Sequence, residues 1–174
     1  MAGQLKTMSK TTSKKKGEET PPTLYPGRMI VALDVATSMG VCYFRIQDNK
    51  FYCTTYKGTP IEQLRTLFDV LGDDVNECLV IIEQLNDFMN ANTTRSLLER
   101  IGYIKNSLLR VGAEIKMVNA MSVRKYLGVK GKEGVRELFS EYNLDSDQSD
   151  ALAVMLYGLE ISPTALEEYN VCRL

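Results

Sequence analysis

Four carboxylates, Asp34, Glu83, Asp147 and Asp150, are the residues of this chain whose types and settings could do chemistry. Asp34 closes the apolar run that starts at Met29, and Glu83 closes a second apolar run that starts at Cys78. Asp147 and Asp150 stand three apart at a helix start, a spacing that sets both side chains on one face. Clustered carboxylates repel and raise each other's pKa, a cost that hard divalent cations remove. Two such ions about 4 Å apart can activate a water and stabilise the leaving oxygen in phosphodiester hydrolysis. The chain has no histidine, so triads and zinc hydrolases built on imidazole are excluded. Catalysis must come from carboxylates, lysines or metals. Each carboxylate also has a plain structural reading: acidic residues at strand ends begin turns, and aspartate in a first helical turn suits the helix dipole and caps. Those readings leave unexplained why four of them occupy two strand ends and one helix start.

The elements that must position these residues follow from hydrophobic periodicity. Met29 to Asp34 reads as a buried strand, and Val41 to Ile46 and Phe51 to Tyr56 follow as strands whose short links permit only antiparallel pairing. Thr59-Pro60-Ile61-Glu62 combines an N-cap threonine, a proline at the first helical position and a glutamate three residues on. The stripe Ile61, Leu64, Leu67, Phe68 and Leu71 continues that helix to Gly72. Cys78 to Glu83 is a continuous apolar strand of the kind covered by helices on both faces. A helix over about Thr94 to Arg110 follows, with Leu97, Leu98, Ile101, Ile104, Leu108 and Leu109 inward and Arg95, Lys105 and Arg110 outward. Ile115 to Val118 is a fifth strand, residues 121 to 143 are short helices around a Gly-Val-Lys-Gly-Lys loop, and Asp147 to Leu159 is the last helix. The sum is an α/β protein with a mixed five-stranded sheet, an antiparallel start and flanking helices.

At 174 residues the chain suits one domain. Residues 1–26, rich in Lys, Ser, Thr and Gly and ending near Pro21-Pro22, are expected to form a disordered basic arm before a folded domain over 27–174. No apolar run approaches the roughly 20 residues of a membrane span, and the opening residues lack a signal-like apolar stretch. The expectation is a soluble intracellular protein of the cytoplasm, or of an organelle or the nucleus in a eukaryotic or viral setting. Cys42, Cys53, Cys78 and Cys172 are scattered without paired knuckles and read as reduced thiols. The net charge of -1 conceals an asymmetry: residues 95 to 136 hold ten basic side chains against three acidic ones. Local basic clusters, rather than a basic total, are what a polyanion requires, although a solvated face would look the same.

Ile30-Val-Ala-Leu-Asp34, Ile81-Ile-Glu83-Gln84 and Asp147-Gln-Ser-Asp150-Ala-Leu-Ala153 together resemble the first, second and last motifs of the RuvC-type Holliday-junction resolvases, in order and at similar spacing, over about residues 29 to 160. The resemblance implies an RNase H-like fold, a homodimer, two Mg2+ ions for which Mn2+ can substitute, and paired nicks across a four-way DNA junction in recombination or repair. It casts Asp34, Glu83, Asp147 and Asp150 as metal ligands. Val123 to Gly128 followed by Lys132 to Val135 is similar to the lysine-bearing segment, so that Lys132 would contact phosphate beside the scissile bond and join the catalytic set. Arg124 stands where many members have lysine, and Lys130 and Gln84 are grouped with it as nucleic-acid contacts.

The chain also departs from that pattern. Val35-Ala36-Thr37-Ser38 follows the first aspartate where bacterial members usually have Pro-Gly-Ser or Thr, and only Gly40 is retained. The position three beyond Glu83, often aromatic, is Asn86, and Phe88 is the candidate base-stacking substitute. The divergence implies a viral, phage or organellar relative. The alternatives are a nuclease of the same fold acting on hybrids or other branched nucleic acids, and a noncatalytic protein of that fold. An actin-like nucleotide site would want more than the single glycine of residues 34–40, and Gln84-Leu85 after Glu83 argues against the other common carboxylate nuclease pattern, Glu-x-Lys.

Overall fold

The computed structural model describes residues 29–84 and 91–174. The basic arm, Asn86 and Phe88 therefore lie outside the described residues. Strands β1 (Met29–Asp34), β2 (Ser38–Arg45) and β3 (Lys50–Lys57) form an antiparallel meander, followed by α1 (Pro60–Leu71), β4 (Leu79–Gln84), α2 (Ala91–Arg110) and β5 (Glu114–Asn119). Then come α3 (Ala120–Leu127), α4 (Gly131–Leu138), α5 (Ser146–Leu159) and β6 (Asn170–Arg173). The sheet order is β5-β4-β1-β2-β3-β6, with β4 parallel to β1, β5 parallel to β4 and β6 parallel to β3.

Among the described residues the sheet thus has six strands rather than the expected five. The sixth, Asn170 to Arg173, is four residues long with no apolar alternation, and its pairing with β3 comes from tertiary context rather than local pattern. The mixed α/β class with an antiparallel start is as expected. α2 begins at Ala91, earlier than expected, and α5 begins at Ser146.

Strand alternation sorts the core into two layers. Ile30, Ala32, Cys42, Phe44, Phe51, Cys53, Ile81 and Val118 face α5, with α3 and α4 packed beyond it. Val31, Leu33, Val41, Tyr43, Val80 and Ile82 face α1 and α2. Each of β1 and β4 is apolar on both faces because helices cover both. α5 is buried along nearly its whole length, Gln148 to Leu156 without a break, so it shows no single apolar stripe and behaves as a helix enclosed on all sides.

Two expected stripes need correction. In α1, Ile61 is exposed and Gln63 takes its place inside. In α2, Leu98 and Leu109 are 51% and 47% exposed, while Ile101, Ile104 and Leu108 carry the packing. Three of the four cysteines are buried thiols, and Cys172 is partly buried in β6. No described helix is long and apolar enough to cross a membrane.

Candidate active site

Asp34 ends β1 and Glu83 lies at the end of β4, on parallel neighbours whose register sets Leu33 beside Ile82. The two-residue period that sends Ile30, Ala32 and Ile81 toward α5 sends Asp34 and Glu83 the same way. Both carboxylates therefore emerge at one rim of the sheet, on one face.

α5 brings the other two. Its N-cap is Asp145, whose carboxylate accepts from the backbone N–H of Gln148 at 2.9 Å while the Gln148 Oε1 accepts from the Asp145 N–H at 3.0 Å, a complete capping box. Thr55 of β3 donates its hydroxyl to both Asp145 oxygens, at 3.2 and 3.1 Å. The capping role that a first-turn aspartate could play is thus filled by Asp145, which leaves Asp147 and Asp150 without that structural task. Gly40, paired with Asp34 across β1 and β2, lies under the first turn of α5. A Cβ added there would come within 2.5 Å of the Asp147 carbonyl carbon, so only glycine admits the helix this close. At the other end Gly158 rests on Ile81, and Lys116 Nζ donates to the Gly158 carbonyl at 2.7 Å.

The result is a carboxylate cluster with basic companions. Asp34 and Asp150 are only 6% and 7% exposed, whereas Glu83 and Asp147 are half-buried. Lys132, at the start of α4, reaches in so that its Nζ stands 3.0 Å from Asp150 Oδ2 and 3.9 Å from Asp34 Oδ2. Both Oδ2 atoms are buried, and Lys132 is the cation that faces them. Burial pushes Asp34 up to about 6; Lys132 pulls it down, Asp150 and Asp147 add to the rise, and a hydrogen bond with Glu83 opposes it. Burial likewise pushes Glu83 up to about 8, with Asp34 and Asp150 adding and Arg124 opposing. Asp150 is raised by burial against the pull of Lys132 and Arg124. Burial lowers Lys132, but Asp34 and Asp150 outweigh it and raise the group above its ordinary value. Burial and mutual repulsion thus favour the protonated forms of both Asp34 and Glu83.

Hard oxygen donors clustered at one rim, two of them buried and paired with an ammonium, have the chemistry of a divalent cation site. Among the described residues no three acidic side chains already converge at coordination spacing, so ligation would draw the half-buried Glu83 and Asp147 inward. Four expected residues, Asp34, Glu83, Asp150 and Lys132, are brought together, with Asp147 beside them. Arg124 of α3 is close enough to stabilise the charges on Glu83 and Asp150. Gln84 is exposed beyond Glu83, and Lys130 is exposed at the N-terminal end of α4. The sequence reading missed Asp145, although Asp145-Ser-Asp-Gln148 has capping-box spacing, and it missed Gln63, which carries no sequence signal beyond being polar within an apolar stripe.

The described fold matches solved structures. The Thermus thermophilus RuvC structure aligns with a TM-score of 0.56 at 17% identity, over 74% of this chain and 92% of that one. T. thermophilus RuvC in complex with Holliday junction substrate aligns with a TM-score of 0.51 at 18% identity, over 75% and 91%. The chain has the RNase H-like fold of RuvC. The yeast mitochondrial Holliday junction resolvase aligns at 10% identity with a TM-score of 0.49, over 85% and 84%. No protein-family model matches the sequence, and no curated protein matches it. At these identities the RuvC likeness is one of fold, and the chemistry rests on the carboxylate cluster itself.

Proposed function

We propose that this chain is a metal-dependent structure-specific endodeoxyribonuclease that cleaves four-way DNA junctions, acting as a homodimer of the RuvC type. What supports the reading is that Asp34 and Glu83 leave one rim of the sheet on one face and the first turn of α5 brings Asp147 and Asp150 beside them, with Lys132 pairing only Asp34 and Asp150. These four would hold Mg2+ or Mn2+. Bound there, the ions would supply an activated water and charge stabilisation for phosphodiester hydrolysis. The chain's own groups set the conditions. Both Asp34 and Glu83, whose carboxyls burial raises, would ligate in their ionised forms, so metal binding would release protons. Lys132, released from Asp150, is placed to receive a phosphate oxygen beside the site, and Arg124 to hold the backbone next to it.

Dimerisation is favoured by α2. Leu98, Tyr103 and Leu109 are exposed on it, and Gly102 lies between them with open space where a Cβ would point. A small residue amid exposed apolar ones lets a second helix approach closely, and two copies related by a two-fold would match a two-fold junction.

The test is to incubate the purified full chain with Mg2+ and a synthetic four-way junction, an RNA–DNA hybrid or a linear duplex. Paired, symmetry-related nicks in the junction, with the other substrates left intact, are expected. Cleavage of the hybrid alone would move the reading to a hybrid nuclease, and no cleavage of any substrate in Mg2+ or Mn2+ would refute catalysis.

A further inference from the structure

Asp34 is followed by a three-residue link, Val35 to Thr37, before β2 begins. The carbonyls of Ala36 and Thr37 lie in this link, outside the strand ladders, and their partner is a single side chain. Gln63 of α1 is fully buried, at 0% exposure. Its Nε2 donates to the carbonyls of Ala36 at 3.3 Å, Thr37 at 3.1 Å and Tyr56 at 3.0 Å. Its Oε1 accepts from Arg100 Nη1 of α2 at 2.9 Å, and the same nitrogen donates to the Gly58 carbonyl at 3.2 Å.

An amide placed in a core is costly unless its donors and acceptor are all matched, and here they are. Arg100 donates to the amide oxygen and the two amide N–H groups are shared among the three carbonyls, so only one orientation of the amide fits its surroundings. Networks closed in this way specify geometry more than they add stability. The link is not built from a Pro-Gly pair that would stiffen it internally; its two free carbonyls are fixed from outside. One residue separates Ala36 from Asp34, and planar peptide units pass a displacement along such a short distance with little loss.

We propose that Gln63, oriented by Arg100, is a positioning residue for Asp34: it fixes the backbone that follows the carboxylate and so sets the metal affinity of the site. The inference rests on the proposed reading of Asp34 as a metal ligand and adds to it a residue on the opposite face of the sheet.

The test uses the full chain free of DNA, with Mn2+ binding read from the EPR signal of the free ion, for wild type, Asp34→Asn, Gln63→Met and Arg100→Ala. Methionine keeps the unbranched shape of glutamine and removes its hydrogen bonds. Gln63→Met should weaken Mn2+ binding about tenfold, as loss of an outer-shell partner does, and Arg100→Ala should weaken it less. Cleavage should then need correspondingly more Mg2+ and recover when it is supplied, with junction affinity in EDTA unchanged for Gln63→Met. A merely structural residue would lower the melting temperature and leave the Mn2+ affinity of the folded protein as it was; that result for Gln63→Met overturns the proposal. If Gln63→Met does not fold, wild-type Mn2+ affinity in the half-exposed Arg100→Ala overturns it instead. Wild-type protein whose Mn2+ binding is absent or indifferent to Asp34→Asn would refute the metal site and this inference with it, whereas Asp34-dependent binding that ignores Gln63 and Arg100 refutes the inference alone.

Discussion

Replacing Gly40 with alanine perturbs the site without touching a carboxylate. Gly40 is an ordinary β residue with no positive φ, so alanine carries no backbone penalty and its effect is purely steric. The new Cβ would lie 2.5 Å from the carbonyl carbon of Asp147, where unstrained carbon contacts need roughly 3.5 Å. The obstacle is backbone rather than a movable side-chain tip, so β2 and the first turn of α5 must separate by about 1 Å. That motion carries Asp147, and Asp150 one turn on, away from Asp34 and Glu83. A misplacement of about 1 Å can cost roughly a hundredfold in rate, and forcing a methyl into a packed contact costs about 1–3 kcal/mol. The assay is single-turnover cleavage of a synthetic four-way junction in Mg2+, beside thermal melting and junction binding in EDTA. Gly40→Ala should bind normally, melt a few degrees lower and cleave about a hundredfold more slowly. Gly158→Ala is the control: at the far end of α5 its Cβ would clash with Ile81 Cδ1 and meet Cγ2 and Cγ1 at 3.0 and 3.2 Å, so it should lose similar stability and keep cleavage within a few fold. Wild-type cleavage by Gly40→Ala, or equal losses from both variants, would falsify the idea that seating of the α5 N-terminus sets the site.

The remaining predictions concern charge. Asp34→Asn, Glu83→Gln, Asp147→Asn and Asp150→Asn should each keep fold and junction binding and lose cleavage by about a hundredfold or more; near-normal Mg2+-dependent cleavage by Asp147→Asn would sink the assignment. Lys132→Ala should lower turnover more than binding and move the acidic limb of the pH–rate profile upward, because Lys132 holds the Asp34 and Asp150 carboxyls down; equal losses in turnover and binding would make it a plain tether. In EDTA, stability should fall as pH rises through the window set by Asp34, raised from 3.8 to about 6, and Glu83, raised from 4.5 to about 8. The native state keeps protons there that the unfolded chain has released, so these two groups contribute stability below pH about 4 that is gone above about 8. Each kcal/mol of this cost lowers the melting temperature of a chain this long by about 2–4 °C, and Mg2+ should flatten the fall. A melting temperature that is flat over pH 5–8 in EDTA would show that the carboxylates are not crowded as described.

Much of this was legible in the sequence because the site stands where elements end. Asp34 and Glu83 terminate continuous apolar strands, and one buried face on each side forces their registers, so their meeting at one rim follows once the strands are parallel neighbours. β6 was not legible: Asn170 to Arg173 has neither length nor alternation, and only the open edge of β3 makes it a strand. The stripes of α1 and α2 were read too widely, since periodicity marks a face but cannot say how much of that face a partner covers. Hence Leu98 and Leu109 were placed inside when they lie on the open side of α2. Gln63 was invisible for a related reason. A buried glutamine is explained by the carbonyls it meets, and those belong to a link 26 and 27 residues away.

The same geometry separates two readings of Asp147 that the sequence leaves tied. A first-turn aspartate gains from the helix dipole whether or not it does chemistry, so its position alone is uninformative. The helix, however, needs one cap, and Asp145 provides it with the Gln148 box and two hydrogen bonds from Thr55. Asp145→Ala should therefore cost about 1 kcal/mol or more in stability, while Asp147→Asn, with no cap to lose, should cost a few tenths. A fold that already has its cap, yet adds Asp147 and Asp150 beside Asp34 and Glu83, carries a repulsion that protonation or added positive charge must offset. Lys132 and, at longer range, Arg124 supply two positive charges for that cluster, fewer than its four carboxylates require once all are ionised. The imbalance is what a divalent ion would correct, and it is absent at the other end of α5, where Lys116 simply holds a carbonyl.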